Sequence, residues 1–331
     1  MLFSDTYIKG RMKMGFTLVR FQSHSEIGHS WAVVRDDNAL PIEGNYKNTC
    51  ELFENAVPAL KTGNLKTGGP LPLNELRLLS PVTHPCRIIA QALNYGAHAK
   101  EAGLDPAKHS ANVLFRKSSA AISGPHDNIV RPAPVRLLDY EIELGLVIGT
   151  RIRGPVKVDE VNMADFIGAF VIANDVSARD VQIPEGQHYR GKSYRTFCPC
   201  GPFLFVPDAG EFHRWKELRM TLRVNGELRQ DARCGEMINK PEATLSEISM
   251  IEDLDPGDMI LTGTPGGVAL LPPRGFAKKL SEFLPERIKW RMFVASQLKR
   301  PQYLNDGDCV TASIKTPDGL IDLGEQKNLV R

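Results

Sequence analysis

Glu141 and Glu143 interrupt an otherwise apolar run, LDYEIELGLVIGT, from Leu138 to Thr150. The run reads as a β-strand, in which successive side chains point to opposite faces. Tyr140, Ile142, Leu144, Leu146 and Ile148 then share one apolar face, and Glu141 and Glu143 share the other. Two carboxylates roughly 7 Å apart along a strand repel unless something positive lies between them. The run FVIANDVSARDVQ supplies a third acid, Asp175, at the end of a second strand-like segment. Three hard oxygen ligands without a neighbouring His or Cys motif suit Mg2+, Mn2+ or Ca2+ and not zinc. They leave about three octahedral positions for water and substrate oxygens, the open coordination of a catalytic metal. A solvated surface pair of glutamates is the alternative, and E-x-E alone does not decide between them.

Two further groups carry possible chemistry. His98 and Glu101 in NYGAHAKEAG have the i, i+3 spacing that places them on one helix face. A carboxylate beside an imidazole orients it and stabilises its charged form, making it a better base; on a surface the same pair is an ordinary ion pair. Lys192, in RGKSY, is by itself a solvated charge.

The elements that must position these residues are mostly strands. Residues 16 to 45 alternate like short strands (FTLVRF, SWAVVRD, NALPIEG), and residues 48 to 61 have helical spacing. A Gly- and Pro-rich linker, KTGNLKTGGPLPLNEL, follows around 61 to 76, so residues 1–76 are expected to form a small N-terminal α+β domain. Residues 77–331 hold the strand-like runs CRIIAQAL, NVLFRK, EIELGLVIG, FIGAFVIANDV, GPFLFV, LRMTLRVNG, DMILTG and CVTASIKT. Helical patterns between them are few: VDEVNMADFIG and TLSEISMIEDL. This is a strand-rich α+β chain, not a βαβ alternation. VNGEL carries an Asn-Gly hairpin signal. Residues 271–302 look like a helical insertion rich in Lys and Arg, with stripes at Phe276, Leu280 and Phe283 and at Trp290, Phe293 and Val294. It is expected to pack on the domain or a partner subunit, a cap over an anionic substrate being the alternative.

With 331 residues, 42% of them apolar, and a net charge of +2, the chain can build a sizeable core and presents no strong field toward nucleic acid or membrane. No apolar run is long enough to span a bilayer, and the N-terminal residues lack the apolar core of a secretory signal. The expectation is a cytoplasmic protein. None of the six cysteines forms a CxxC pair, which fits reduced core or loop thiols.

Six motifs in order resemble the fumarylacetoacetate hydrolase family, in its acylpyruvate hydrolase and 2-hydroxyhepta-2,4-diene-1,7-dioate isomerase-like branch. They are ALNYGAHAKEAG (92–103), DYEIELGLVIG (139–149), NDVSARDVQ (174–182), RGKSYRTFCPCGPFL (190–204), VNGELRQD (224–231) and LDPGDMILTGTPGGV (254–268). The resemblance implies a mixed β-roll or sandwich, usually a homodimer, with Glu141, Glu143 and Asp175 holding Mg2+ or Mn2+. It implies that His98 and Glu101 activate water and that Lys192 points to the metal-bound substrate. Arg179 and Gln182 match substrate-contacting positions, and Thr264, in TGTPGG, offers a hydroxyl near backbone N–H groups for a substrate carboxylate. The reaction so implied is metal-dependent hydrolysis of a C–C bond in an acylpyruvate, such as maleylpyruvate or fumarylpyruvate from aromatic catabolism. Isomerisation of a 2-hydroxydienedioate, oxaloacetate-type decarboxylation and 2-oxo-acid hydration are the alternatives on the same site. Two features depart from shorter members: Lys192-Ser193-Tyr194-Arg195 replaces K-S-F-D, and the 271–302 segment precedes the final strands.

Overall fold

The computed structural model describes residues 15–22, 28–105, 111–272 and 284–331. Among them, strands outnumber helices, and two larger sheets carry the core. The main, mixed sheet has eleven strands; from one edge it runs 71–72, 38–41, 30–35, 16–22, 204–206, 167–174, 142–148, 259–261, 88–92 and 113–117, with 77–79 paired to 16–22. All its pairings are antiparallel except that of 259–261 with 88–92. The second sheet runs 227–233, 219–224, 309–315 and 322–329.

The residues before the linker continue the main sheet: Phe16–Gln22 pairs antiparallel with Leu204–Val206. The helical stretch from Thr49 to Lys61 buries Leu52, Phe53, Ala56, Val57 and Leu60 in the same hydrophobic cluster as the central strands. The expected boundary near residue 76 is thus crossed by one sheet and one core.

Strand Ile142–Ile148 is buried along its whole length, flanked by Ile167–Asn174 and Met259–Leu261. Burial on both faces explains its near-continuous apolar composition. The Asn-Gly signal is a hairpin joining 219–224 to 227–233. Asn225 and Gly226 both have positive φ, 52° and 82°, as a type I′ turn demands.

The helical reading of VDEVNMADFIG is corrected: only Met163–Asp165 forms a 3-10 turn, and a strand begins at Ile167. Asp159 Oδ1 accepts from the N–H groups of Val161 and Asn162, and Asn162 Oδ1 accepts from Asp159 N–H. These local side-chain bonds take the place of a first helical turn. Of TLSEISMIEDL, by contrast, all but the last three residues lie in helix Pro241–Ile251.

Of the 271–302 segment, residues 284–302 are described, and Phe276, Leu280 and Phe283 lie outside the described residues. Helix Glu286–Gln297 buries Phe293 and Val294, and Trp290 packs against the core. The Gln297 amide bonds both N–H and C=O of Leu271, fastening the end of this helix to the start of the segment. Among the described residues, no helix is long and apolar enough to cross a membrane.

Candidate active site

Glu141 and Asp175 meet because of strand register. Ile142 pairs with Asn174, so Glu141 stands opposite Asp175, and Asp175 N–H donates to Glu141 C=O at 2.8 Å. Opposed residues share a face, as do residues two apart. Glu143, opposite the small Ala173, therefore joins them. One carboxylate oxygen from each lies within 4.8 Å of the others, and all three residues are buried.

Positive charge meets this cluster from three directions. Lys192 Nζ lies 2.5 Å from Glu141 Oε2 and 2.6 Å from Asp175 Oδ2. Lys117 Nζ lies 2.6 Å from Asp175 Oδ1 and also donates to the Lys192 carbonyl. Arg179 donates through Nε to Asp139 at 2.8 Å, through Nη1 to Gln182 Oε1 at 2.8 Å and through Nη2 to Glu141. Burial would push the Glu141 carboxyl up, but the charges of Lys192 and Arg179 outweigh it and hold it below the usual range. Burial would lower the Lys192 ammonium, yet Asp175 and Glu141 beside it raise it instead.

Glu143 differs. Its hydrogen bond is from a backbone group, Gly263 N–H at 2.7 Å. Burial, then Asp175 and Glu141, push its carboxyl well above the usual range. Three buried hard oxygen donors, one of them with no ion pair to a cationic side chain among the described residues, are a donor set suited to a hard divalent cation.

The loop after strand 259–261 braces the site. Thr262 N–H and Oγ1 donate to Leu144 C=O, and Thr264 Oγ1 donates to Ile142 C=O at 3.0 Å. Gln230 Nε2 donates to Thr264 Oγ1, and Gln230 Oε1 accepts from Ile142 N–H. The Thr264 hydroxyl is thus engaged within the protein. Gly267 has φ of 102°, and a Cβ there would lie 1.9 Å from the Arg229 carbonyl oxygen, so only glycine fits. Its N–H donates to both Glu101 carboxylate oxygens, at 3.0 and 3.1 Å. Glu101 Oε2 in turn lies 3.8 Å from His98 Nδ1 on helix Gly96–Glu101. The His98 ring is close enough that a proton on it would favour the ionised form of Glu141.

All nine residues singled out in the sequence lie in or against this buried cluster, but their surroundings differ. Glu141, Glu143, Asp175 and Lys192 form its centre, and His98 with Glu101 stands at its side. The three donor nitrogens of Arg179 are engaged by protein acceptors, so in this structure it orients Glu141 and Gln182. Sequence reasoning missed Lys117, Asp139, Gln230 and His188. Nothing in the sequence marks Lys117: it shares a face of strand Val113–Lys117 with Phe115, and only the structure puts Phe115 beneath both Lys192 and His188.

Residues 87–331 match the family described as Fumarylacetoacetate (FAA) hydrolase C-terminal. The chain belongs to the fumarylacetoacetate hydrolase family. Oxaloacetate tautomerase Fahd2a, mitochondrial, of Rattus norvegicus is 34% identical over 252 residues, covering 74% of this chain and 76% of that protein. Two solved structures are also similar. One is 2-hydroxyhepta-2,4-diene-1,7-dioate isomerase from Mycobacterium marinum, with TM-score 0.67, 28% identity and coverage of 95% of this chain and 98% of that one. The other is maleylpyruvate hydrolase from Sphingobium sp. SYK-6, with TM-score 0.65, 26% identity and the same coverage. Membership makes this chain an enzyme of a family whose named relatives include hydrolases, isomerases and tautomerases, with an acidic triad able to hold a divalent metal.

Proposed function

We propose that this member of the fumarylacetoacetate hydrolase family hydrolyses the C3–C4 bond of an acylpyruvate, giving pyruvate and a carboxylic acid. The observation that carries this reading is the Lys192 ammonium, buried between Glu141 and Asp175, with the His98–Glu101 pair alongside. A divalent cation held by Glu141, Glu143 and Asp175 would polarise the oxygens of a 2-oxo acid.

The protein's own groups do the rest. His98 takes a proton from water as the water oxygen adds to the C4 carbonyl. Glu101, fixed by Gly267 N–H and 3.8 Å from the ring, balances the charge of the imidazolium. The C3–C4 bond then breaks and its electron pair passes to pyruvate as the enolate, whose charge Lys192 offsets. The imidazolium returns its proton to C3. The backbone around Thr264 is the proposed contact for the rest of the substrate, while the Gln182 amide is held between Arg179 and His188.

A second reading, oxaloacetate tautomerisation, is favoured by the likeness to the rat tautomerase. It uses the same residues, with His98 moving a proton on or off C3 as the C3–H bond forms or breaks, and no C–C bond is broken. Product analysis separates the two. Chelator-stripped protein, with and without Mn2+ or Mg2+, is given maleylpyruvate, fumarylpyruvate and oxaloacetate. Metal-dependent pyruvate with an equimolar four-carbon diacid is expected. A mass-neutral change in oxaloacetate alone, followed as loss of enol absorbance, would replace the hydrolase reading by the tautomerase.

A further inference from the structure

A chain of hydrogen bonds leads outward from the carboxylate cluster and ends on His188. Arg179 can only donate, so the Gln182 atom that accepts from its Nη1 is the carbonyl oxygen, Oε1. The other end of that amide, Nε2, carries only donor hydrogens, and it lies 2.7 Å from His188 Nδ1. His188 Nδ1 is therefore the acceptor. A neutral imidazole accepting at Nδ1 carries its hydrogen on Nε2. Burial and then the Lys192 charge lower the pKa of this ring, which keeps it neutral. Among the described residues Nε2 has no hydrogen-bond partner, and it is not sealed from solvent.

The ring is also fixed in place beside Lys192. It stacks on Phe115 with centroids 4.5 Å apart and planes 22° apart. The Lys192 ammonium lies over the same Phe115 ring at 5.5 Å. Lys192 N–H donates to the His188 carbonyl at 3.0 Å, so the two residues are one helical turn apart. Phe115 thus carries both groups, and a substrate whose 2-oxo acid end lay against the triad and Lys192 would have His188 across that ring.

We propose that His188 is the specificity-determining residue of this site, donating its Nε2–H to an oxygen acceptor on the acyl end of the substrate. This rests on the 2-oxo-acid reading above and narrows it to acyl groups ending in a carboxylate or carbonyl. Arg179 and Gln182 then act as positioning residues, setting the direction of that hydrogen bond.

The test compares fumarylpyruvate, whose acyl end carries a carboxylate, with acetylpyruvate, which has none. His188→Phe keeps an aromatic ring against Phe115 but removes the donor. The ratio of kcat/KM for fumarylpyruvate over acetylpyruvate is expected to fall about ten- to a hundredfold, as for loss of a hydrogen bond to a charged group. His188→Gln, which restores an N–H donor, should recover much of that ratio. An unchanged ratio in His188→Phe, whether both substrates lose equally or neither does, would overturn the proposal. If the wild-type protein cleaves neither substrate, the C–C hydrolase reading fails by itself. His188 is then tested by calorimetric binding of the same two compounds to Mn2+-loaded protein. Selective weakening of fumarylpyruvate binding in His188→Phe supports the proposal, and equal weakening or none overturns it.

Discussion

Two clusters of acids and bases in this chain behave oppositely. Around Asp255, close to the surface, Arg87 Nη1 at 3.0 Å, Arg153 Nη2 at 2.6 Å and Arg151 Nε at 3.3 Å converge on one carboxylate. Hydrogen bonds from Arg153 and Arg87 hold that carboxyl below its usual range. In the candidate site, Asp139, Glu141, Glu143 and Asp175 are buried with Lys117, Lys192 and Arg179, and Glu143 is pushed up, not down. The surface cluster balances its own charge with half-exposed side chains that water can reach. The buried one leaves a carboxylate against two others of like sign, an arrangement that costs stability unless a further cation completes it. A cluster held at such cost is where chemistry is expected.

The contrast can be broken first at the arginines. Arg179→Met leaves Asp139 and Glu141 buried without that partner and should cost about 3–5 kcal/mol of unfolding free energy, measured in denaturant. Lys192→Met should lower kcat by about 10²–10³-fold, the effect of removing one charge-stabilising donor, while the protein stays folded by circular dichroism. Glu143→Gln keeps an acceptor for Gly263 N–H and removes the like-charge repulsion. It should leave the melting temperature of chelator-stripped protein unchanged or raised, while metal affinity falls at least about tenfold. Arg153→Met, in the exposed cluster, should change stability by only about 0–1 kcal/mol.

Much of the site was legible because it is built from short-range rules. Period-two alternation put Glu141 and Glu143 on one face, a strand end placed Asp175, and i, i+3 spacing paired His98 with Glu101. The long strands were legible for the same reason. What escaped depends on contacts between distant segments. Lys117 precedes Asp175 by 58 residues and its strand lies four places from Ile167–Asn174 in the main sheet; the two meet where helix Tyr189–Lys192 packs against strand Val113–Lys117. Helix Arg179–Glu185 is seven residues long and contains Pro184, too short and too interrupted for helical periodicity to register. Yet that helix puts Arg179 and Gln182 on the face that orients Glu141 and His188. The turn at 159–165 misled for the opposite reason: its apolar spacing looks helical, but Asp159 and Asn162 spend their side chains on the backbone.

The most direct test of the central claim is a calorimetric titration of chelator-stripped protein with Mn2+, in wild type and in Asp175→Asn. The account predicts one saturable Mn2+ per chain in the wild type and loss of that binding in Asp175→Asn with the fold retained. Equal Mn2+ binding by both proteins, or none by the wild type, would contradict it.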